Sequence, residues 1–398
     1  MFIMALDVSK GKSYMVVYKN EYCIEEREIV HTPEQFDKLL PFLKNNQVEV
    51  VFEATGVYSK CWEHFFTKNN FSYSCLNPLE AKLQIATMRQ RKSDKNDAHQ
   101  LAQTHLTNKR SKTFCHSNNY NELRMYSKLY DEVHSNLLVQ RNYLHSELQL
   151  VFPGLEKIYS SNMTYFVLNI MDKYTHPDTV QKTSPTKIKN YILKQTGKKL
   201  SEKQAKEKAL WLKFIAKEAY SVVEEDSFMV KEVKYRLKTI RSLKQQKDRI
   251  SNELIHFAET CTEFKYIESI PGIGPLTAAL LIAELGDIRR FDTHKQMNAY
   301  VGIDLRTYQS GTIQHKDKIQ KRGNSRARMI LFFTIQNMIK KQKNIRNHFI
   351  DYYYKLKKPP YVKKHKVAMI ACMNKLLKTI HYLISNNEYY DYTKSPRG

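Results

Sequence analysis

Four acidic residues and one serine carry the chemistry this sequence could perform. Asp7 ends an apolar run in ALDVSK, and Glu53 ends another in VVFEATGVY. Asp94 and Asp97 stand three apart in KSDKNDAHQLA, so both carboxylates share one face if that segment is helical. A set of hard oxygen donors suits Mg2+, with Mn2+ as the alternative, because such ions prefer carboxylate and water to thiolate or imidazole. A two-ion site of that kind activates an attacking oxygen and stabilises a leaving one in phosphodiester cleavage. Taken singly, each acid reads as a turn residue or a helix cap. The joint pattern is what points to a metal site, and Lys92 and Lys95 beside the acid pair fit either phosphate contact or a solvated face. Ser310, in Gln-Ser-Gly, is either a plain turn residue or a nucleophile activated by a base or a metal.

These acids need a sheet to gather them, and the first 115 residues predict one. Apolar runs at 2–8, 13–18 and 23–30, separated by turns at Gly11 and Asn20, read as three meander strands. Thr32 and Pro33 open a helix over 33–44 with its apolar stripe at Phe36, Leu39, Leu40 and Leu43. A strand at 48–52, a helix marked by Trp62, Phe65 and Phe66, a strand at 71–76 and helical sequence from Pro78 complete the order β-β-β-α-β-α-β-α. Three meander strands followed by crossover units predict a mixed sheet. In such a sheet the first and fourth strands can be neighbours, so Asp7 and Glu53 could meet at their ends, with Asp94 and Asp97 brought in by a later helix.

The middle of the chain, 116–262, reads as helical. Leu129, Val133, Leu137, Leu144, Leu148 and Val151 form one seam; Val230, Val233, Leu237, Ile240, Leu243, Ile250, Leu254 and Phe257 form another. Both have coiled-coil or bundle spacing, and pair either with each other or across subunits. The Pro- and Gly-bearing stretch 153–205 reads as an irregular helical insertion. The last region, 263–398, opens with IPGIGPLTA, which has the form of a helix-hairpin-helix: Gly272 and Gly274 allow a tight turn, and the free N–H groups of the next helix face a phosphate. The structural alternative is a hairpin that only packs. Further on, Lys321, Arg322, Arg326 and Arg328 bracket Gly323 and Asn324, with Ser325 as the expected cap; the cluster reads as a phosphate clamp or an exposed helix start. The tail interleaves Tyr with Lys, which suits stacking on single strands, though Val367, Ile370, Leu376 and Ile380 have core spacing.

Composition agrees with a polyanion partner. Lys+Arg number 65 against 40 Asp+Glu, a net charge of +25, which favours nucleic acid first and an anionic membrane surface second. No apolar run approaches the ~18 residues of a membrane span, and MFIMALDVSKGK lacks the features of a signal peptide. A cytoplasmic protein without a membrane partner is expected. The six cysteines form no C-x-x-C pair, so free thiols are expected in place of a zinc ribbon or disulfides.

In order along nearly the whole chain, ALDVSK, FEATGVY, KSDKNDAHQLA, IPGIGPLTA and QSG with KRGNSRAR resemble the DEDD-type serine transposases of the IS-one-ten insertion sequences, related to the Piv/MooV invertases. The resemblance implies an α/β domain of RuvC-like, ribonuclease-H type over 1–115, with Asp7, Glu53, Asp94 and Asp97 as ligands of Mg2+ or Mn2+. It implies a coiled-coil assembly region over 116–262 and a helical C-terminal transposase domain over 263–398, where Ser310 is the nucleophile that bonds covalently to DNA. It further implies a homo-oligomer, dimer or tetramer, and a structured non-coding bridge RNA that pairs with donor and target DNA. The block after Asn324 reads SRAR where the family commonly has a Leu before Arg, and the middle region is longer than in compact members. Two rivals stand beside this reading: a RuvC-type Holliday-junction resolvase or nuclease that uses water, and a non-catalytic nucleic-acid-binding protein.

Overall fold

The computed structural model describes residues 1–78, 81, 93–108, 110, 112–113, 118–158, 163–196, 200–306, 309–310, 313–314, 318–344 and 346–394. They fall into two compact units, Met1–Cys115 and His116–Gly398.

The first unit is built on a five-stranded mixed sheet. Its strands are β1 (Phe2–Ser9), β2 (Lys12–Lys19), β3 (Tyr22–Val30), β4 (Val48–Glu53) and β5 (Tyr73–Leu76), in the order β3-β2-β1-β4-β5. β1, β2 and β3 pair antiparallel; β4 lies parallel to β1, and β5 parallel to β4. The alternation along β1 explains the layering. Met4, Leu6 and Val8 pack one way, with Val50, Phe52, Trp62, Phe65 and Phe66. Ile3 and Ala5 pack the other way, with Val16, Val51, Ala98, Leu101 and Ala102. Helices α1 (Pro33–Asp37), α2 (Leu40–Asn45) and α3 (Lys60–Lys68) thus share one side of the sheet, and α4 (Asp94–Thr107) covers the other. α4 is held there by the i, i+3, i+4, i+7 stripe Ala98, Leu101, Ala102 and His105, all buried. The edge strand β3 is mostly exposed and carries Glu25, Glu26, Arg27 and Glu28, charges that blunt edge-to-edge pairing.

The single helix expected over 33–44 is two helices. Pro41 lacks the N–H an uninterrupted helix needs there and is accepted only in the first turn of α2. The helix expected from Pro78, and Lys92 within it, fall largely outside the described residues.

The second unit is helical. α5 (Asn118–Val151) is followed by α6 (Tyr165–Lys173), α7 (Pro177–Lys182), α8 (Pro185–Gln195), α9 (Glu202–Glu218) and α10 (Phe228–Glu259). Then come α11 (Glu263–Glu268), α12 (Pro275–Leu285), α13 (His294–Val301), α14 (Ser325–Lys340), α15 (His348–Lys357) and α16 (His365–Asn386). α5 and α10 run antiparallel against each other: Tyr126 meets Phe257, His134 meets Lys247 at 3.0 Å, and Glu147 meets Arg236 at 2.8 Å. As one number rises the other falls by a like amount, so the two seams pair within the chain. The insertion between them is better ordered than its prolines suggest. Thr164, Ser184, Ser201 and Ser227 each accept from a backbone N–H three residues on, capping α6, α8, α9 and α10. One apolar core joins α6–α9 to the paired ends of α5 and α10, and a second joins Leu123 and Leu254 to the helices after 263. By length and composition α16 passes the test for a membrane span. Its face of Met369, Cys372, Met373, Leu376, Leu377 and Ile380 is buried in the second core, as in a packed core helix. The expectation that no apolar run reaches span length therefore needs that correction.

Candidate functional site

The parallel register of β1 and β4 places Leu6 opposite Phe52. That is the last paired rung; Asp7 and Glu53 follow directly after it, Glu53 as the last residue of β4 and Asp7 two residues before the end of β1, which runs on to Ser9 rather than stopping at the acid. Asp7 alternates with Ala5 and Ile3, and Glu53 with Val51, so both belong to the sheet face that α4 covers. Asp94 and Asp97 lie in the first turn of α4, behind the N-cap Ser93, whose hydroxyl accepts from the Asn96 N–H. Three contacts fix how this helix crosses the sheet. Lys95 pairs with Glu26 of β3, His99 bonds Tyr18 of β2 at 2.8 Å, and His105 bonds Glu49 of β4 at 3.0 Å. α4 therefore starts over β2 and β3 and ends over β4. Around the helix, Asp94 and Asp97 occupy the flank opposite Lys95 and His99, which is the flank toward β1 and β4. Asp94 also lies near the start of β2: the Lys12 ammonium is held above its ordinary pKa, chiefly by its hydrogen bond to Glu28 and in smaller part by the Asp94 charge.

Asp7 and Glu53 thus lie on the sheet face that α4 covers, and Asp94 and Asp97 lie in the first turn of that helix. An all-carboxylate donor set suits a hard divalent cation. Among the described residues, the His, Cys, Asp or Glu group whose ligand atoms all lie within 4.8 Å of one another is a different one, Cys23, Glu26 and His99. Nothing in the sequence signalled that group, because its members are read as separate strand and helix residues.

In the second unit, Gly272 and Gly274 form the tip between α11 and α12. Gly272 has φ +98, and a Cβ there would stand 2.7 Å from Met338 Cγ, so this glycine is required by packing against α14. Asn347 donates to the Pro271 carbonyl at 2.8 Å and pins the same turn. Gly274 is exposed, with open space about its Cα, and caps α12 with Pro275 behind it.

The basic block divides in two. Lys321 and Arg322 are exposed. Asn324, rather than Ser325, caps α14, accepting from the N–H groups of Arg326 and Ala327, while its amide donates to Glu284 Oε2 at 2.9 Å. Arg326 stands 2.7 Å from Asp131 and 3.3 Å from Glu284, and it donates to the Ser127 carbonyl. Arg328 donates to the Val301 carbonyl at 2.7 Å. Three residues of the expected clamp, Asn324, Arg326 and Arg328, are therefore bonded inward. The signal that would have found this is Glu284, a lone carboxylate in the apolar helix PLTAALLIAEL, which is 4% exposed and needs a cationic partner.

The same loop interlocks with the end of α13. Gly302 has φ +76, and a Cβ there would lie 2.1 Å from the Arg322 carbonyl oxygen and 2.9 Å from Arg328 Nη1. Gly302→Ala is expected to cost more than about 2 kcal/mol of stability, through left-handed backbone strain and a clash that no side chain can relieve. Gly274→Ala, in open space with φ −94, should cost less than about 1 kcal/mol. Thermal melts of both variants check this; equal melting temperatures would contradict it. Ser310 ends the two-residue strand β7 (Gln309–Ser310), which pairs with β8 (Ile313–Gln314); β6 (Leu305–Arg306) pairs with β9 (Lys318–Ile319) at the base of the same excursion. The Ser310 side chain lies outside the described residues.

Comparison with known proteins bears on both units. The family of DEDD transposases of the IS110 type matches residues 4–153, and the Transposase IS116/IS110/IS902 family matches residues 264–350. The chain is similar to the "Transposase for insertion sequence element IS1111A" of Coxiella burnetii, 34% identical over 92 residues, which is 23% of this chain and 25% of that protein. It is also similar to the "Putative transposase y4rJ" of Sinorhizobium fredii, 41% identical over 63 residues and 16% of each chain. A "Probable family 20 transposase" of Pseudomonas aeruginosa is 36% identical over 63 residues, 16% of this chain and 19% of that protein. The chain thus spans a quarter or less of the length of these relatives.

Proposed function

We propose, from the matches of residues 4–153 and 264–350 to families of IS110-type transposases, that the chain is a DNA transposase that cuts and rejoins DNA through a serine–phosphate intermediate. One observation carries the reading: Asp7 and Glu53 directly follow the last paired rung of β1 and β4, Leu6–Phe52, on the sheet face that α4 covers, and Asp94 and Asp97 lie in the first turn of α4. The strand order β3-β2-β1-β4-β5, antiparallel then parallel, supports a RuvC-like sheet of ribonuclease-H type. On this reading residues 1–115 form the catalytic domain, 116–262 an assembly region and 263–398 the transposase domain with the serine.

Asp7, Glu53, Asp94 and Asp97 would hold Mg2+ or Mn2+; bound there, such ions supply Lewis-acid polarisation of a scissile phosphate. The chain's own residues do the rest. The exposed Lys321 and Arg322, with the open tip at Gly274, contact the DNA backbone and leave sequence choice to another element. That element is a structured bridge RNA, for which the net charge of +25 provides the electrostatic attraction. The Ser310 hydroxyl loses its proton and attacks phosphorus. The bond from phosphorus to the 3′ oxygen breaks, and that oxygen takes up a proton as a free 3′-hydroxyl. The 5′ phosphate remains on the serine as a diester, which keeps the bond energy for rejoining. The active form is a homo-oligomer.

Trapping on suicide DNA substrates tests this. Wild-type protein should yield a covalent protein–DNA adduct that maps to Ser310. Ser310→Ala should yield none, with recombination between two plasmids reduced by more than about 1,000-fold, as for loss of other enzymatic nucleophiles. An Ala variant that still recombines would make water or another hydroxyl the nucleophile, and the resolvase reading would replace this one.

A further inference from the structure

Away from the four acids, the sheet unit gathers a second group of ligating side chains, and a strand irregularity puts it together. In a regular strand Cys23 and Glu26, three positions apart, would point to opposite faces. β3 is not regular. Tyr18 pairs with Cys23, but Val17 pairs with Glu25 and Val16 with Glu26, so Ile24 is an extra residue and β3 bulges there. Bulges of this kind re-aim side chains. Here the extra residue turns Cys23 and Glu26 to the same face, that of Tyr18 and Val16, on which α4 lies. His99 of α4 completes the group: the Cys23 sulfur, a Glu26 oxygen and a His99 nitrogen lie within 4.8 Å of one another.

The polar partners around this trio leave one ligand atom of each residue directed inward. His99 Nε2 is 2.8 Å from Glu26 Oε2, and His99 Nδ1 is 2.8 Å from the Tyr18 hydroxyl. Tyr18 thus holds the ring by the nitrogen a metal does not use, an arrangement typical of the support behind ligating histidines. Lys95 takes the other carboxylate oxygen, Glu26 Oε1. Cys23 is exposed, so a cation reaches the site from solvent.

We propose that Cys23, Glu26 and His99 form a binding site for a borderline divalent cation, Zn2+ above all, with water as the fourth ligand. Thiolate, imidazole and carboxylate together are a zinc-type donor set. Mg2+ is excluded by the sulfur, so this site and the four acids select different ions. Binding is balanced by protons: the Cys23 thiol releases one to solvent, and the proton that His99 Nε2 donates to Glu26 in the empty site passes through solvent to Nδ1, where the Tyr18 oxygen accepts it, so that Nε2 ligates with a net release of one proton. The bound cation would tie the edge strand β3 to α4 five residues beyond Asp94. It would thereby fix the helix that presents half of the acid set without touching any of the four acids.

Co2+ titration of the full-length protein is the test, because a sulfur-to-cobalt charge-transfer band reports thiolate ligation that carboxylates cannot mimic. The first equivalent of Co2+ should raise that band with release of about one proton, Zn2+ should bleach it, and excess Mg2+ should not. Cys23→Ser should abolish the band, and His99→Ala should weaken Co2+ binding at least about ten-fold, since even supporting residues behind a ligand contribute that much. The double variant Asp94→Asn, Asp97→Asn should leave the band unchanged. A band that survives in Cys23→Ser, or its absence in the wild type, overturns the proposal. If the variants fail to fold, the wild type alone decides: Zn2+ should protect Cys23 from iodoacetamide, as mapped by peptide mass spectrometry, and an unprotected Cys23 overturns it.

Discussion

Asp7→Asn and Asp94→Asn each lower metal-dependent DNA strand cleavage by more than about 100-fold, because residues that merely support a metal ligand already contribute 10- to 100-fold. The amide keeps the size and shape of the acid and removes only its charge. β1 and β2 remain paired at Asp7 and Tyr14 through backbone bonds that the substitution does not touch, so the melting temperature should stay within a few degrees. DNA affinity should hold or rise, since one negative charge near a polyanion disappears. Loss of cleavage with retained binding and folding is the signature of a site that holds a cation. Glu49→Gln is the matched control. Glu49 lies on the same face of β4, toward the other end of the strand, where it bonds His105. That variant should cleave within a few-fold of wild type. Quenched-flow or gel assays with Mg2+ and Mn2+ read all three proteins. An Asp7→Asn protein that cleaves at the wild-type rate would remove the metal reading and leave a basic nucleic-acid binder.

The sheet was legible because its physics is local. Strand alternation and the turns at Gly11 and Asn20 depend on neighbours in sequence, so β1 to β5 stand close to where the pattern puts them. The adjacency of β1 and β4, the strands that carry Asp7 and Glu53, followed from topology alone, since a three-strand meander and a parallel return make them neighbours. What stayed hidden depends on partners far away in the chain. The bulge at Ile24 is invisible in CIEEREIV, which reads as one continuous strand, so the approach of Cys23 and Glu26 to His99 could not be foreseen. Pro41 breaks a helix that the apolar stripe alone continues. Arg326 and Arg328 have the texture of a phosphate clamp because a surface arginine and an inward-bonded one are spelled alike. Only Asp131, Glu284 and the Val301 carbonyl distinguish them.

Arg326→Ala is therefore expected to fail as a fold before it fails as a DNA binder. The guanidinium joins three helices: Ser127 and Asp131 of α5, Glu284 of α12, and its own α14. Its removal strands two carboxylates. Glu284 is nearly inaccessible, and burial already pushes the Asp131 carboxyl above its ordinary pKa, with Arg326 opposing that shift. Breaking a buried pair by deleting one partner typically costs about 3–5 kcal/mol, which corresponds to a fall of roughly 10 °C in melting temperature for a unit of this size. Glu284→Gln in the Arg326→Ala background should recover part of that loss, because the amide still accepts from Asn324 and no longer carries charge. The double variant Lys321→Ala, Arg322→Ala should behave in the opposite way. Its melting temperature should match the wild type, and the slope of log affinity against log salt should fall by about one for each phosphate that is no longer neutralised. Thermal melts and salt-dependent DNA binding on the same four proteins separate the two roles. If Arg326→Ala melts like wild type and flattens the salt slope instead, the guanidinium contacts phosphate and the inward network contributes little.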